Sequence, residues 1–113
     1  MHEYSIVQSL IEQCEEHAKA NDATRVIKVV TKIGKLSGVE PYLLQTAFDT
    51  FKEESVCRDA VLEMKLQNLV VACEECHKES EQEEVRYQCK HCQGTKVKAV
   101  DGEDMYLMSL EME

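Results

Sequence analysis

The stretch Cys73-Glu74-Glu75-Cys76, followed after twelve residues by Cys89-Lys90-His91-Cys92, constrains this chain more than any other part of the sequence. Two Cys-x-x-Cys pairs at this separation can surround one zinc ion tetrahedrally, with each pair holding the metal from one side. A gap of two residues lets both sulfurs of a pair lie about 2.3 Å from the metal without straining the turn between them. The spacing therefore predicts a structural zinc site that uses all four thiolates.

The composition limits the classes of function that the chain can have. Its 113 residues make one domain, or one small domain that carries a smaller metal-held module. Its 13 basic and 22 acidic residues give a formal net charge of −9. A zinc ribbon that binds nucleic acid needs a basic surface to meet phosphates, and only Lys96 and Lys98 follow the second cysteine pair closely. We therefore expect no nucleic-acid partner.

The sequence also predicts a reducing compartment. No apolar run approaches the roughly 20 residues of a membrane span, and no basic-then-apolar leader opens the chain. We expect a cytoplasmic protein without membrane contact, in which six cysteines favour metal ligation over disulfide bonds. The two cysteines outside the pairs, Cys14 and Cys57, are predicted to be small buried side chains.

Hydrophobic periodicity predicts an α+β fold, with a small three-stranded mixed sheet and two helices. Apolar residues recur at three- and four-residue steps over 4–19, and again in a second helix that starts at Pro41. β-Branched and alternating apolar residues predict strands over 24–33 and 60–66. The apolar segment after Gly102 predicts a last strand that returns to pair with the first two. The apolar face predicted for the second helix consists of Leu43, Leu44, Ala47, Phe48 and Phe51.

The cysteine pairs are predicted to lie in an inserted zinc-ribbon-like module. The predicted boundaries are 69–102 for this module, and 1–68 completed by 103–113 for the α+β domain. Within the module, short strands are predicted around Val85 and Tyr87 and over 97–100. The acidic segment 78–84 is predicted to be a solvated loop.

The N-terminal Met1-His2-Glu3-Tyr4 is a second candidate metal site. A terminal amine, the deprotonated amide nitrogen of His2 and its imidazole Nδ1 can form fused chelate rings. Nitrogen donors in a plane suit Ni(II) or Cu(II), and they suit tetrahedral zinc badly. The alternative interpretation is an ordinary helix start. In that case Glu3, and Glu40 before the second helix, are acidic residues of the kind favoured near helix N-termini.

Several motifs follow one another along the whole chain. They are Met1-His2-Glu3-Tyr4-Ser5 at the start of an amphipathic helix, Ile33-Gly34, Phe48-Asp49-Thr50-Phe51 in the second helix, the two cysteine pairs, and Leu107-Met108-Ser109-Leu110-Glu111 at the end. Together and in this order they resemble the HypA/HybF family of nickel metallochaperones, which act in hydrogenase maturation. The resemblance implies a three-stranded sheet with two helices and a zinc module, in agreement with the fold predicted from periodicity.

The resemblance also implies roles for individual residues. It implies that His2 is the essential side chain of an N-terminal nickel site, with Glu3 beside it and the Met1 amine as a further candidate donor. Glu40 is another candidate, at a position where some family members carry Asp, and its longer side chain changes the geometry. The four paired cysteines are implied to hold zinc. The implied partners are a hydrogenase large-subunit precursor, a HypB-type GTPase and, as a second destination of the nickel, a urease maturation chaperone.

Two histidines accompany the cysteine pairs: His77 follows the first, and His91 lies inside the second. One interpretation makes them neighbours of the metal ligands or solvent-facing groups. The other makes them alternative zinc ligands that replace cysteines when the pH or the nickel occupancy changes. Because neutral imidazole ligates zinc and histidine titrates near neutral pH, the second interpretation makes the zinc site a sensor.

Two other functions are compatible with the sequence. One is a zinc-ribbon adaptor that binds proteins without transferring nickel, and the other is a thiol redox protein that uses its Cys-x-x-Cys pairs. Catalysis is not expected, because the chain shows no Ser/His/Asp grouping, no phosphate-cradling glycine loop and no cluster of carboxylates. The sequence leaves the oligomeric state open, a homodimer included.

Overall fold

In a computed structural model, which describes residues 2–113 and only the backbone of His2, the chain folds into helices and strands as an α+β protein. The helices and strands are α1 (His2–Ala20), β1 (Val26–Gly34), α2 (Pro41–Phe51), β2 (Val61–Gln67), β3 (Leu69–Cys73), β4 (Glu79–Gln82), β5 (Val97–Asp101) and β6 (Met105–Met112). A short 3-10 helix, Lys52–Glu54, follows α2 directly. Both predicted helices and the predicted strands that correspond to β1, β2, β5 and β6 are confirmed.

The first sheet has the strand order β2-β1-β6. The hydroxyl of Thr31 donates to the Glu63 carbonyl, and the Lys35 N–H donates to the Gln67 carbonyl, so β1 and β2 advance in the same direction. Parallel neighbours need a crossover connection, and α2 supplies it.

The last strand runs antiparallel to β1. Near one end of the pair Arg25 and Glu113 exchange backbone hydrogen bonds of 2.9 and 3.3 Å, and near the other the Gly34 N–H donates to the Asp104 carbonyl. The Arg25 guanidinium also donates to the Glu113 carboxylate at 2.6 and 2.8 Å. The prediction of a mixed three-stranded sheet, closed by the returning C-terminal strand, is confirmed.

The two helices bury one stripe each. On α1 the whole predicted stripe is buried, and it consists of Val7, Leu10, Ile11, Cys14 and Ala18. On α2 the buried residues are Leu44, Ala47 and Phe48. The prediction is wrong for Leu43 and Phe51, which are 49% and 38% exposed. Leu43 precedes the buried Leu44 and lies to one side of the buried stripe, and Phe51 is the last residue of the helix. Packing therefore covers neither side chain completely.

The second sheet has the order β4-β3-β5, and both pairs are antiparallel. The prediction of a solvated loop over 78–84 is wrong for β4, because Ser80 and Gln82 are buried and only the alternating glutamates face solvent. The predicted short strand at Val85 and Tyr87 is also wrong. Both side chains are exposed, so they have no apolar surface to pack against.

Internal contacts divide the chain into two compact units. The first extends to Lys32 and includes Val39–Lys65 and Tyr106–Glu113; the second comprises Ile33–Gly38 and Leu66–Met105. Cys14 and Cys57 are fully buried in the first unit, as predicted. Within residues 2–113, neither helix combines the length and the apolarity that a membrane span requires.

Candidate metal sites

The four predicted zinc ligands come together in the second unit. The sulfurs of Cys73, Cys76, Cys89 and Cys92 all lie within 4.8 Å of one another. The closest pairs are 3.5 Å apart, between Cys73 and Cys92, and 3.6 Å apart, between Cys76 and Cys89. Sulfurs about 2.3 Å from a tetrahedral zinc lie about 3.8 Å from one another. Both the spacing and the all-thiolate donor set therefore fit a closed structural zinc site.

Each cysteine pair sits in a tight backbone loop. The His77 N–H donates to the Cys73 carbonyl at 3.1 Å, and the Gln93 N–H donates to the Cys89 carbonyl at 3.0 Å. His77 and Gln93 each follow a pair directly, and both have positive φ angles, 61° and 64°. This left-handed conformation turns the chain out of the loop. Glycine at these positions would have indicated the turns in the sequence, but His and Gln do not.

Backbone N–H groups point at the sulfurs. Cys73 Sγ accepts from the N–H groups of Glu75 and Cys76, both at 3.4 Å, and Cys89 Sγ accepts from the His91 N–H at 3.3 Å. Hydrogen bonds to a sulfur favour its anionic form, which is the form that ligates a metal. The backbone of both loops therefore donates hydrogen bonds to sulfurs of the cluster.

The thiols do not titrate alike. The N–H groups of Cys92 and His91 lower the pKa of Cys89 to about 6, although desolvation opposes them. The Gly94 N–H lowers the pKa of Cys92, but the hydrogen bond with Cys73 and desolvation outweigh it and raise that pKa to about 12. An ion that binds all four sulfurs must displace these protons, so metal binding at this site releases protons to solvent.

Strand β4 positions the second cysteine pair through its two buried polar side chains. The Ser80 hydroxyl accepts from the Lys90 N–H at 3.5 Å, and the Gln82 amide donates to the Gln88 carbonyl at 2.9 Å. Gln82 also donates to the Ser80 hydroxyl at 3.2 Å. Sequence reasoning missed these residues. The available signal was the alternation in Glu79-Ser80-Glu81-Gln82, where the uncharged residues occupy every second position.

The two histidines occupy different positions beside the cysteines. Both are exposed, and the ring Nε2 of His91 lies 3.2 Å from the Glu79 carbonyl oxygen. Within the part of the chain that the structure describes, the ligand atoms of the cluster are cysteine sulfurs only. Zinc ligation by His77 or His91 under other conditions stays a prediction.

At the N-terminus, two of the predicted nickel-site residues meet. Helix α1 begins at His2, and Glu3 Oε2 accepts the backbone N–H of Glu40 at 3.4 Å. Glu40 is the N-cap residue of α2 and precedes Pro41. Among the described residues, the side chain of Glu40 makes no capping hydrogen bond to the helix. The Glu3 carboxylate therefore caps α2 from a position 37 residues before the N-cap residue Glu40. Met1 and the side chain of His2, also predicted for this site, lie outside the described residues.

An aromatic contact fixes the first turn of α1 on α2. The rings of Tyr4 and Phe51 meet edge to face, with their centroids 5.4 Å apart and an interplanar angle of 81°. Such pairs contribute about 0.5–1.5 kcal/mol beyond the area that they bury. The contact holds the backbone beside Glu3 against the second helix, which sequence reasoning did not predict.

Comparison with known proteins points to one family. The family model described as "Hydrogenase/urease nickel incorporation, metallochaperone, hypA" matches residues 1–112. The hydrogenase maturation factor HypA of Shewanella sp. (strain MR-7) is 58% identical, over 100% of this chain and 96% of that protein. The factor of the same name from Aquifex aeolicus (strain VF5) is 50% identical, over 100% of this chain and 98% of that protein.

Solved structures agree with this assignment. The solution structure of the Ni metallochaperone HypA from Helicobacter pylori is 40% identical in sequence, covers 97% of this chain and 96% of its own, and superposes with a TM-score of 0.74. A second solution structure of a HypA protein is 42% identical, covers 100% of this chain and 97% of its own, and has a TM-score of 0.79. Sequence and fold thus match along the whole chain, and the chain belongs to the HypA family of nickel metallochaperones of hydrogenase maturation.

Proposed function

We propose that this chain binds one Ni(II) ion at its N-terminus and delivers it for hydrogenase maturation. In this proposal His2 supplies the essential imidazole, the Met1 amine and backbone nitrogens add donors, and Glu3 and Glu40 supply carboxylates. The observation that carries the proposal is the 3.4 Å contact between the Glu3 carboxylate and the Glu40 N–H, because it joins the starts of α1 and α2. Membership of the HypA family supports the choice of cargo.

The electrostatics of this region suit a cargo that must be released. The N-terminal end of a helix carries a partial positive charge, which disfavours a bound cation. Glu3 and Glu40 bring two carboxylates to the beginnings of two helices and offset that charge. A carboxylate has several lone pairs, so Glu3 can cap α2 and still face a metal ion. The balance favours binding that is specific but moderate in affinity.

The four paired cysteines are proposed to hold one zinc ion with a structural role. The proposed domains are a nickel-binding domain of residues 1–68 and 103–113, and a zinc-binding domain of residues 69–102. The two compact units support this division in outline, but the second unit spans Leu66–Met105 and also includes Ile33–Gly38. The proposal keeps His77 and His91 as candidate sensors of pH, because both are exposed next to the metal ligands.

The proposed partners follow from the family. We propose that the hydrogenase large-subunit precursor receives the nickel and that a HypB-type GTPase cooperates in the transfer, with urease maturation as a second destination. The description of the matching family model, which includes urease, supports the second destination. We propose that transfer takes place in the cytoplasm, in line with six cysteines that suit a reducing compartment.

Nickel titration of His2→Ala tests the proposal. We expect the untagged chain to bind one Ni(II), and the variant to lose that ion, because the imidazole is the side-chain donor that closes the chelate. Isothermal titration calorimetry measures the affinity, and zinc analysis of the same samples should show no change. The matched control is His17→Ala, which removes an exposed histidine from the same helix and should bind nickel normally.

Unchanged nickel binding by His2→Ala would exclude the N-terminal site and favour the zinc-ribbon adaptor. A chain with a short N-terminal extension separates two versions of the proposal. It moves the amine away from His2, so weaker binding identifies the Met1 amine as a donor, and unchanged binding restricts the donors to the His2 amide and side chains.

Glu3→Gln tests the role of the Glu3 carboxylate in nickel binding. The amide oxygen can still accept the Glu40 N–H, so the cap of α2 remains, but the negative charge is lost. We expect nickel affinity to fall about five- to tenfold, in keeping with an interaction of about 1 kcal/mol between charges that are partly exposed to solvent. Competition with a colorimetric chelator measures the change. The control is Glu12→Gln, an exposed glutamate farther along α1, and an equal loss in both variants would contradict the assignment.

A further inference from the structure

A small hollow in the second unit lies beside the second cysteine pair. It has a volume of about 120 Å³, and its lining residues are Gln82, Arg86, Gln88, Cys89, Lys90 and Gln93. Two of these residues are cationic, three are amides, and none of the six is acidic. The chain as a whole carries a formal net charge of −9, so this hollow, which we call the Arg86 hollow, is a local exception.

The two cations of the Arg86 hollow are not engaged by carboxylates. Arg25, Lys28 and Lys52 form ion pairs with acidic side chains, whereas residues 2–113 show no such pair for Arg86 or Lys90. A guanidinium offers five N–H donors in a planar fork, and an ammonium offers three. Both cations therefore have donors available for an anion that enters the hollow.

Two amide side chains add neutral donors to the same hollow. The Gln88 amide donates to the Gln93 carbonyl at 2.9 Å, and the Gln93 amide donates to the Lys90 carbonyl at 3.4 Å. Each of these amide nitrogens carries a second N–H, which can donate to a ligand. The Arg86 hollow thus combines charged and neutral N–H donors, a combination that suits an oxyanion.

Hydrogen bonds fix the walls of the hollow before any ligand enters. Gln82 is only 4% exposed, and its amide donates to the Gln88 carbonyl at 2.9 Å. The Cys89 N–H donates to the Gly94 carbonyl at 2.9 Å, which closes the loop that contains Lys90. A ligand that binds between fixed walls orders fewer groups, so the entropy cost of binding is smaller.

The charges around the Arg86 hollow limit the ligand to one small ion. An adjoining hollow of about 200 Å³ shares Arg86 and Lys90 but is also lined by Glu83 and Glu84. On the side of Cys89, four thiolates around one zinc ion would leave further negative charge. An extended polyanion would meet these groups, whereas a single ion can remain between the two cations.

We propose that the Arg86 hollow binds one free inorganic phosphate ion, with Arg86 and Lys90 as charged contacts and Gln88 and Gln93 as neutral donors. A tetrahedral oxyanion suits this set because it carries up to two negative charges and can accept hydrogen bonds from several walls at once. A carboxylate has one charge and two oxygens, so it makes fewer of these contacts. Bound phosphate joins Arg86, before the second cysteine pair, to Lys90 inside it, and thereby stabilises that loop.

The test is a titration of the full-length, zinc-loaded chain, labelled with nitrogen-15, with sodium phosphate at constant ionic strength. We expect saturable shifts of backbone amide signals that are confined to residues 82–93. Acetate should bind at least about fivefold more weakly, because it loses charge-assisted hydrogen bonds. Shifts that spread over the chain without saturating, or equal binding of acetate, would overturn the proposal.

Phosphoserine distinguishes the free ion from a phosphoryl group on a larger molecule. Its organic part must extend out of the Arg86 hollow, past Glu83 and Glu84 on the adjoining surface, so we expect it to bind more weakly than inorganic phosphate. Tighter binding of phosphoserine would contradict the assignment to the free ion.

Matched variants test the two charged contacts. Arg86→Gln and Lys90→Gln should each weaken phosphate binding at least about fivefold, because each removes a charge-assisted contact. The controls Arg58→Gln and Lys98→Gln remove exposed cations outside the hollow and should bind phosphate normally. Equal weakening in variants and controls would reveal only a general effect of charge and contradict the site.

Zinc analysis of the same variants separates phosphate binding from a simple charge balance at the cysteines. We expect Arg86→Gln and Lys90→Gln to keep their zinc while they lose phosphate affinity. If both variants bind phosphate normally but hold zinc more weakly, the two cations only offset the charge of the thiolates, and the proposal is wrong. The titration of the unaltered chain does not depend on how well any variant folds.

Discussion

Removal of zinc is expected to unfold the second unit around the four cysteines, while the first unit, which contains both helices, keeps its structure. The loops around Cys73 and Cys89 bury little apolar surface, because the residues that follow each pair are polar and exposed. They are His77 and Lys78 after the first pair and Gln93 after the second. Zinc binding contributes about 10–16 kcal/mol to the folding of small zinc-finger peptides at neutral pH, so its loss removes the main source of stability here. By contrast, the first unit has an apolar core that includes Phe48, Leu44 and Val7.

Hydrogen exchange before and after chelation measures this effect. Amides in β3, β4 and β5 should lose their protection, amides in α1 and α2 should keep theirs, and added zinc should restore the difference. Cys89→Ser should reproduce the effect of chelation without a chelator. Protection of β4 and β5 that survives complete removal of zinc would show that side-chain packing alone holds this unit. If bound zinc protects the four thiols from alkylation, the thiol redox function is also excluded.

Gly34→Ala is expected to lower the free energy of unfolding by at least about 3 kcal/mol, as severe overpacking does. A Cβ at this position would overlap the carbonyl of Gly102 and lie 2.9 Å from that of Asp104. Both carbonyls are held in place, because they accept the N–H groups of Leu36 and Gly34 at 2.9 Å. The obstacle is backbone, which cannot rotate away as a flexible side chain would.

Gly38→Ala is the matched control, because it separates steric overlap from backbone conformation. Gly38 has a φ of 79°, but a Cβ there would meet nothing within 4 Å. The expected cost is about 1 kcal/mol, which is the strain of an L-residue in the left-handed region. Urea unfolding of the zinc-loaded variants measures both values. Equal destabilisation by the two substitutions would contradict the close backbone approach at Gly34.

The sequence predicted most of the secondary structure because apolar residues follow the period of each element. The stripe on α1 that includes Val7 and Leu10 is buried as predicted, because its residues share the helix face that packs against the core. Strand β4 was missed because its inward residues, Ser80 and Gln82, are polar and are stabilised by hydrogen bonds instead of apolar packing. A hydrophobic pattern cannot indicate a strand whose buried face is hydrogen-bonded.

The sequence by itself determined the features that depend on near neighbours. The spacing of the cysteines over 73–92 predicted the four sulfurs of the candidate zinc site, and the order of short motifs indicated the family. Only the tertiary structure decided that Glu3 caps the helix that begins after Glu40, and that the rings of Tyr4 and Phe51 meet edge to face. The reason is physical. Ligand spacing and helical periodicity are properties of a few consecutive turns, whereas these two contacts join residues that meet only after the helices and the sheet have packed together.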